Sequence, residues 1–182
     1  MLGFVKKHTI AVSLATALVV TATTGTALAV LTTGGGGTIT KVNAVSETAA
    51  TVNAQQVFNN VPGATTTIFV PPGETALITA RFTAESQCTG IAANAVGRRC
   101  AIRILDNAAE MRPQSGIDAA FDSVSTPFPQ QDFQEGHAVE RDSVAGPGTH
   151  VVRVQRAVSG PNTVFRLDDW HLTVERSQRT AP

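Results

Sequence analysis

Residues 167–176, Leu-Asp-Asp-Trp-His-Leu-Thr-Val-Glu-Arg, alternate between apolar and polar side chains and decide the fold class. In an extended chain every second side chain lies on the same side. The row expected to point inward is Asp168, Trp170, Leu172 and Val174, and the row expected to point outward is Asp169, His171, Thr173 and Glu175. This period of two is typical of an antiparallel strand with one buried face and one face in water.

The same period recurs along most of the chain, between turn signals made of Gly and Pro. Three further segments alternate clearly: Glu74–Glu85, Cys100–Leu105 and His150–Val158. Weaker strands are expected at Thr51–Phe58, Thr65–Val70, Ile117–Ser123 and Gly136–Arg141, separated by motifs such as Val61-Pro62-Gly63 and Gly146-Pro147-Gly148. About eight short antiparallel strands predict an all-β sandwich, and a jelly roll of two packed sheets is the favoured arrangement.

Two cysteines, Cys88 and Cys100, are separated by 11 residues and fall on the inward rows of their strands. A hairpin would bring both sulfurs to one side, so we expect a disulfide, which in a loop this short contributes roughly 3 kcal/mol of stability. A redox or metal pair is the alternative. The spacing is not that of a C-x-x-C motif, and the sequence has no second cysteine pair to complete a zinc site.

The N-terminus has the pattern of a secretory signal peptide. Basic residues at 6–8 precede the uncharged apolar run Thr9–Val20, and the small residues Ala27 and Ala29 follow at the positions that a signal peptidase recognises. Cleavage is expected between Ala29 and Val30, which predicts a secreted, extracellular protein with no membrane contact after processing. The alternative is an uncleaved N-terminal membrane anchor, because the uncharged stretch 9–37 exceeds the roughly 20 residues that a span requires.

The predicted organisation is therefore a signal peptide at 1–29, a flexible Gly/Thr-rich lead-in at 30–45, one sandwich domain at 46–178 and a short tail at 179–182. Loss of Lys6 and Lys7 with the signal leaves 12 basic side chains against 14 acidic ones. This balance argues against nucleic acid as a partner, since nucleic acid requires a concentrated basic face. No motif points to a cofactor.

Ligand-binding residues are expected in two places. The loop at 124–135 carries Phe128 and Phe133, and the outer face of the last strand carries Asp169 and His171. Loops and exposed strand faces are where sandwich proteins usually recognise their partners. The first hypothesis is thus a non-enzymatic binding or structural protein at the cell envelope or in the medium, with an extracellular glycan or a protein surface as the expected partner.

Two other functions stay open. A secreted hydrolase would require a cleft in which His137, His150 or His171 lies within hydrogen-bond reach of a Ser or a carboxylate. An oligomeric structural subunit would expose an apolar patch, for which Leu77 and Leu105 are the candidates. The three histidines could also meet at a metal, but no two have a familiar ligand spacing. Calcium at 106–107 or 168–169 lacks a run of alternating oxygen ligands, so no metal site is expected.

The second half of the chain, over roughly residues 60–176, resembles a group of small secreted proteins from high-GC Gram-positive bacteria. The residues that carry the resemblance are Arg81-Phe82, Glu85-Ser86, Cys88, the segment 100–105, Gly148-Thr149-His150 and the segment 165–176. The resemblance implies export and a compact β fold. It implies no activity.

Overall fold

The computed structural model describes residues 39–115, 119–126 and 134–178. Ten β-strands and a single 3-10 turn at Ala93–Ala95 make up the regular structure of these ranges, which contain no α-helix. The strands are β1 Ile39–Glu47, β2 Thr51–Asn53, β3 Asn59–Val70, β4 Ala76–Gly90, β5 Arg99–Asp106, β6 Ala109–Glu110, β7 Asp122–Ser123, β8 Glu135–Ala145, β9 Gly148–Val158 and β10 Thr163–Gln178. No helix that could span a bilayer is found in the described part of the chain.

The strands form two packed antiparallel sheets, so the predicted all-β sandwich is confirmed. One sheet has the order β1-β10-β4-β8, with β2 beside β10, and the other has the order β3-β9-β5-β6, with β7 beside β5. Without the short β2 and β7, the pairs nest inside one another: β1 with β10, β3 with β9, β4 with β8, and β5 with β6. This nested hairpin, wrapped into two sheets, is a jelly roll.

The core lies between the sheets and is built from the inward rows that the period of two predicts. Five alternate residues of β4, from Ala76 to Ala84, are almost fully buried, as are Val152 and Val154 of β9. Aromatic rings fill the centre. The ring centroid of Phe82 lies 6.0 Å from that of Phe121 and 6.1 Å from that of Trp170, and the centroids of Phe121 and Phe165 are 6.2 Å apart. Trp170 is 2% exposed, which confirms it as a core anchor.

The first strand begins earlier than predicted. Residues 39–45, expected to belong to a flexible lead-in, form β1, which pairs with the central strand β10 along its length. Small and polar residues can form an edge strand when a long neighbour supplies the hydrogen bonds, and composition alone does not show that neighbour. The described sheet therefore includes residues 39–45, which precede the predicted domain boundary at residue 46. The expected signal peptide, the remainder of the lead-in and the tail at 179–182 lie outside the described residues.

Val61-Pro62-Gly63 does not separate two strands. It lies inside β3, where the register against β9 shifts between Asn60 and Thr65, and Gly63 has a φ of 76°. The motif therefore makes a bulge, which lets one strand continue past a residue that cannot donate a ladder hydrogen bond. The expected strand at 51–58 is shorter than predicted. β2 ends at Asn53, because the chain then crosses from the sheet that contains β10 to the sheet that contains β9.

The disulfide between Cys88 and Cys100 is confirmed, with the two Cα atoms 5.9 Å apart and both side chains buried. The hairpin expected to carry it is wrong. Cys88 lies in β4, which pairs with β8 and β10, whereas Cys100 lies in β5, which pairs with β9. The bond therefore links the two sheets across the core.

Candidate functional site

The edge strand β8 points polar side chains into the sandwich. His137 and Arg141 lie opposite the buried residues Ala84 and Ala80 of β4, so they share the inward side with them. Glu135, Val139 and Ser143 fall in the same row. The neighbouring strand β4 has an apolar inward row from Ala76 to Ala84, so β8 contrasts with it by placing polar side chains on the inward side.

His137 is held by a hydroxyl that is itself held by a carboxylate. The Ser86 Oγ donates a hydrogen bond to Asp122 Oδ2 at 2.7 Å, and His137 Nδ1 lies 3.0 Å from the same Oγ. A hydroxyl has one proton, and in Ser86 that proton is used in the hydrogen bond to Asp122. The Nδ1–H group of His137 must therefore donate to the Ser86 Oγ. The network therefore assigns the Nδ1–H tautomer and leaves the Nε2 lone pair of a neutral ring for another group.

The remaining surroundings of His137 mix charge and aromatic surface. Glu135 Oε2 is 3.9 Å from Nε2, and the ring centroid of Phe121 is 5.5 Å from that of the imidazole. Ser86 is fully buried, whereas the His137 side chain is 29% exposed. The hydroxyl is thus out of reach of solvent, and the imidazole is the member of the network that an outside molecule can touch.

Arg141 lies four residues after His137 in β8, on the same side of the strand. Its Nε and Nη2 donate to Ser115 Oγ at 3.2 and 2.5 Å, and its Nη1 donates to the Glu140 carbonyl at 2.7 Å. Burial lowers the pKa of Arg141 from its ordinary value, and the carboxylate of Glu110 partly offsets that effect. The guanidinium remains a cation at neutral pH because the ordinary pKa of arginine lies far above neutrality.

A cleft of about 410 Å³ opens between these two side chains. Ile102, Phe121 and Val139 supply apolar walls, and Ser115, His137 and Arg141 supply polar groups. Next to Arg141 in the chain, Asp142 forms a β-bridge with Arg112 through two backbone hydrogen bonds of 2.8 Å. The cleft thus combines concave shape with convergent polar groups, two features that small-molecule sites share.

A second polar network closes the sandwich beyond that bridge. Asp106 accepts a hydrogen bond from Ser143 Oγ at 2.7 Å and lies 2.8 Å from His150 Nδ1, while His150 Nε2 lies 2.9 Å from the carbonyl of Gly146. Both carboxylate oxygens and both ring nitrogens are thus engaged within the protein. The network holds β8 to the opposite sheet.

The three histidines do not converge. His137 lies on the inward row of β8, His171 lies on the outer face of the same sheet, and His150 lies in the other sheet. The described residues contain no group of three or more His, Cys, Asp or Glu side chains that could hold a metal ion. A shared metal site formed by these histidines is therefore contradicted.

Asp168 lies on the wrong side for the predicted inward row, because β10 has a bulge there. Between the pairs Asp168–Glu85 and His171–Thr83, two residues of β10 oppose one residue of β4. Asp169 takes the left-handed conformation, with a φ of 42°, and is exposed. Asp168 therefore forms an ion pair with Arg166 at 2.6 Å instead of facing the core.

Of the four expected ligand residues, Asp169 and His171 lie on the outer face of the sheet as predicted. His171 Nε2 contacts Thr173 Oγ1 at 2.9 Å. The described structure shows no hydrogen bond or ion pair between the side chains of His171 and Asp169. Phe128 and Phe133 lie outside the described residues. Neither Asp169 nor His171 borders the cleft at β8.

Comparison with known proteins adds little. No protein-family model matches the chain, and no curated protein matches it. Among solved structures, the chain is similar to dimeric latent PorU from Porphyromonas gingivalis, with a TM-score of 0.37 and 12% identity. The match covers 81% of this chain and 14% of that one, so the chain spans about a seventh of that neighbour's length.

Proposed function

We propose that this chain is an exported, non-enzymatic jelly-roll protein that binds a ligand at the cell envelope or in the medium, and that the cleft beside β8 is its binding site. Export is supported by the signal-peptide pattern at 1–29 and by a disulfide, which persists in oxidising compartments. The single observation that carries the binding proposal is the cleft, with its apolar walls and its two oriented polar side chains.

The chemistry of the cleft suits a hydroxylated ligand such as one sugar unit of an extracellular glycan. A sugar hydroxyl both donates and accepts. His137 Nε2 is an acceptor, Arg141 is a donor, and the walls at Phe121 and Val139 suit the apolar face of a sugar ring. A protein partner would instead insert one side chain into the same cleft.

Glycan arrays and pulldowns from cell-wall extracts test this proposal. The wild-type chain should bind a polysaccharide, and His137→Ala should reduce that binding at least tenfold because the oriented acceptor is lost. His171→Ala is the matched control, since that imidazole is exposed on the outer face of the same sheet. No binding across polysaccharides and envelope extracts, or equal loss in both variants, would contradict the proposal.

Export is tested separately by N-terminal sequencing of the protein in the culture medium. A mature N-terminus at Val30 is expected. Recovery of the intact chain in the membrane fraction would instead support the N-terminal anchor.

A hydrolase is the second candidate, and the contact between His137 and Ser86 is the observation that favours it. Ser86 is not placed to act as the nucleophile, because it is fully buried and its hydroxyl donates its hydrogen bond to Asp122 rather than to His137. His137 Nε2 would have to act as a general base on water. Turnover of polysaccharide or ester substrates that disappears in His137→Ala would support this function over simple binding.

An oligomeric structural subunit receives no support from its expected patch. Leu105 is 7% exposed, and Leu77 is half-buried, so these two side chains do not form an exposed apolar surface.

A further inference from the structure

Arg156 is a buried cation in an otherwise apolar row. It lies in β9 on the inward side with Val152, Val154 and Val158, and it is 4% exposed. In the paired strands it lies opposite Ile102 of β5 and Asn59 of β3. Its Nη2 donates to Thr51 Oγ1 at 2.7 Å and to the Val52 carbonyl at 3.1 Å, which places the guanidinium beneath β2.

The charge of Arg156 is not balanced by the described part of the chain. Both acceptors on Nη2 are neutral, and Nε and Nη1 are buried with no hydrogen-bond partner. Two other arginines lie close to a carboxylate: Arg103 lies 3.8 Å from Glu110, and Arg166 lies 2.6 Å from Asp168. Desolvation lowers the pKa of Arg156, but a guanidinium keeps its proton at neutral pH.

Such an arrangement is costly in a folded protein. An unpaired buried cation is strongly unfavourable, and each buried donor without an acceptor adds to that cost. A water molecule could accept the hydrogen bonds, but it would not neutralise the charge. The neighbouring polar residue Asn53 is 6% exposed, but its side-chain oxygen already accepts a hydrogen bond from Asn59 Nδ2 at 2.9 Å, so it leaves the two free donors of Arg156 unsatisfied.

We propose that Arg156 is the centre of an internal binding site for a small monovalent anion, a halide or a simple carboxylate, at the corner where β2 covers β9. The N–H groups of Nη1, or that of Nε, donate to the anion, while Nη2 stays bound to β2. The anion completes the charge balance of the core. This site is independent of the cleft beside β8.

Thermal unfolding at constant ionic strength tests the site. Sodium gluconate, whose anion is too large to enter a core, is replaced stepwise by chloride, bromide or acetate. Because a ligand that binds only the folded state stabilises it in a saturable way, we expect at least one series to raise the Tm of the wild-type chain by about 3 °C or more. The three series distinguish a halide from a carboxylate.

Arg156→Met should abolish that rise, and Arg103→Met, which removes an outward guanidinium from the neighbouring strand, should keep it. A second measurement does not depend on the variant folding. Crystals of the wild-type chain grown in the most stabilising anion should show that anion within hydrogen-bond distance of Nη1 or Nε. No saturable rise in the wild-type chain, the same rise in Arg156→Met, or only water at the guanidinium would overturn the proposal.

Discussion

Asp122, Ser86 and His137 are the three residue types of a hydrolytic triad joined in another order. In such a triad the imidazole lies between the hydroxyl and the carboxylate and takes the hydroxyl proton. Here the hydroxyl lies in the middle, at 2.7 Å from the carboxylate and 3.0 Å from the imidazole. The serine therefore positions the ring, and any chemistry with an outside molecule belongs to His137 Nε2.

Substitution of Ser86 tests this positioning role through stability. Ser86→Ala removes both hydrogen bonds and leaves Asp122 Oδ2 and His137 Nδ1 without their partner, so we expect a loss of about 1–3 kcal/mol of unfolding free energy in urea. Ser46→Ala, at an exposed position of β1, should stay within about 0.5 kcal/mol of the wild type. Equal stability of the two variants would show that the network contributes nothing.

Asp106 has a different role from Asp122, because it joins two elements of opposite sheets. Its carboxylate is 8% exposed and contacts both Ser143 of β8 and His150 of β9. Asp106→Ala leaves two polar side chains unpaired, and we expect about 2–3 kcal/mol of destabilisation in urea. Glu140→Ala, which breaks an exposed ion pair with Arg81, is the control and should cost less than about 1 kcal/mol. A cost below that of the control would show that the contacts of Asp106 with Ser143 and His150 do not stabilise the sandwich.

At the scale of the element, the bulge in β10 explains how one strand buries two out-of-phase apolar rows. Phe165 and Leu167 face the core before the bulge, and Trp170, Leu172 and Val174 face it afterwards. Strict alternation would expose one of these sets. The extra residue at Asp169 reverses the parity, and its positive φ is the local conformation that allows this.

The left-handed conformation makes Asp169 sensitive to the type of side chain. A β-branched residue is strained at positive φ, so Asp169→Val should lower the unfolding free energy by about 1–2 kcal/mol, whereas Asp169→Gly should change it by less than about 1 kcal/mol. Glu175→Val, on the same outer face beyond the bulge, should be nearly neutral because valine suits a strand. Urea denaturation of the three variants decides the matter. A neutral Asp169→Val would mean that the bulge relaxes.

The sequence predicted the interior strands well, because an inward row that is mainly apolar shows its period of two directly. β4, β5 and β9 follow that pattern, and their strands and core residues are confirmed. β8 has a weaker signal since it is an edge strand, where inward positions such as His137 and Arg141 can reach polar partners and solvent.

At the scale of the whole molecule, the candidate cleft could not be predicted for a related reason. Ser86 is 36 residues from Asp122 and 51 residues from His137. The pairing of β4 with β8 brings Ser86 to His137, and the packing of the two sheets brings Asp122 of β7 to Ser86. The bulges at Gly63 and Asp169 likewise depend on the neighbouring strand. A period of two locates strands, but it contains no information on which strands pair or where an extra residue enters.

The disulfide gives the last prediction, because it joins the two layers of the jelly roll rather than two neighbouring strands. Cys88 and Cys100 are 12 residues apart in sequence and lie in opposite sheets. Replacing both by Ser removes the constraint on the unfolded chain and should lower the unfolding free energy in urea by about 3 kcal/mol. Reductant should destabilise the wild-type chain by a similar amount and leave the double variant unchanged.

Because both sulfurs are buried, reduction of the wild-type chain should require unfolding, so its rate should follow the rate of unfolding as urea is raised. Fast reduction in native buffer would show that the sheets separate locally at this end of the sandwich.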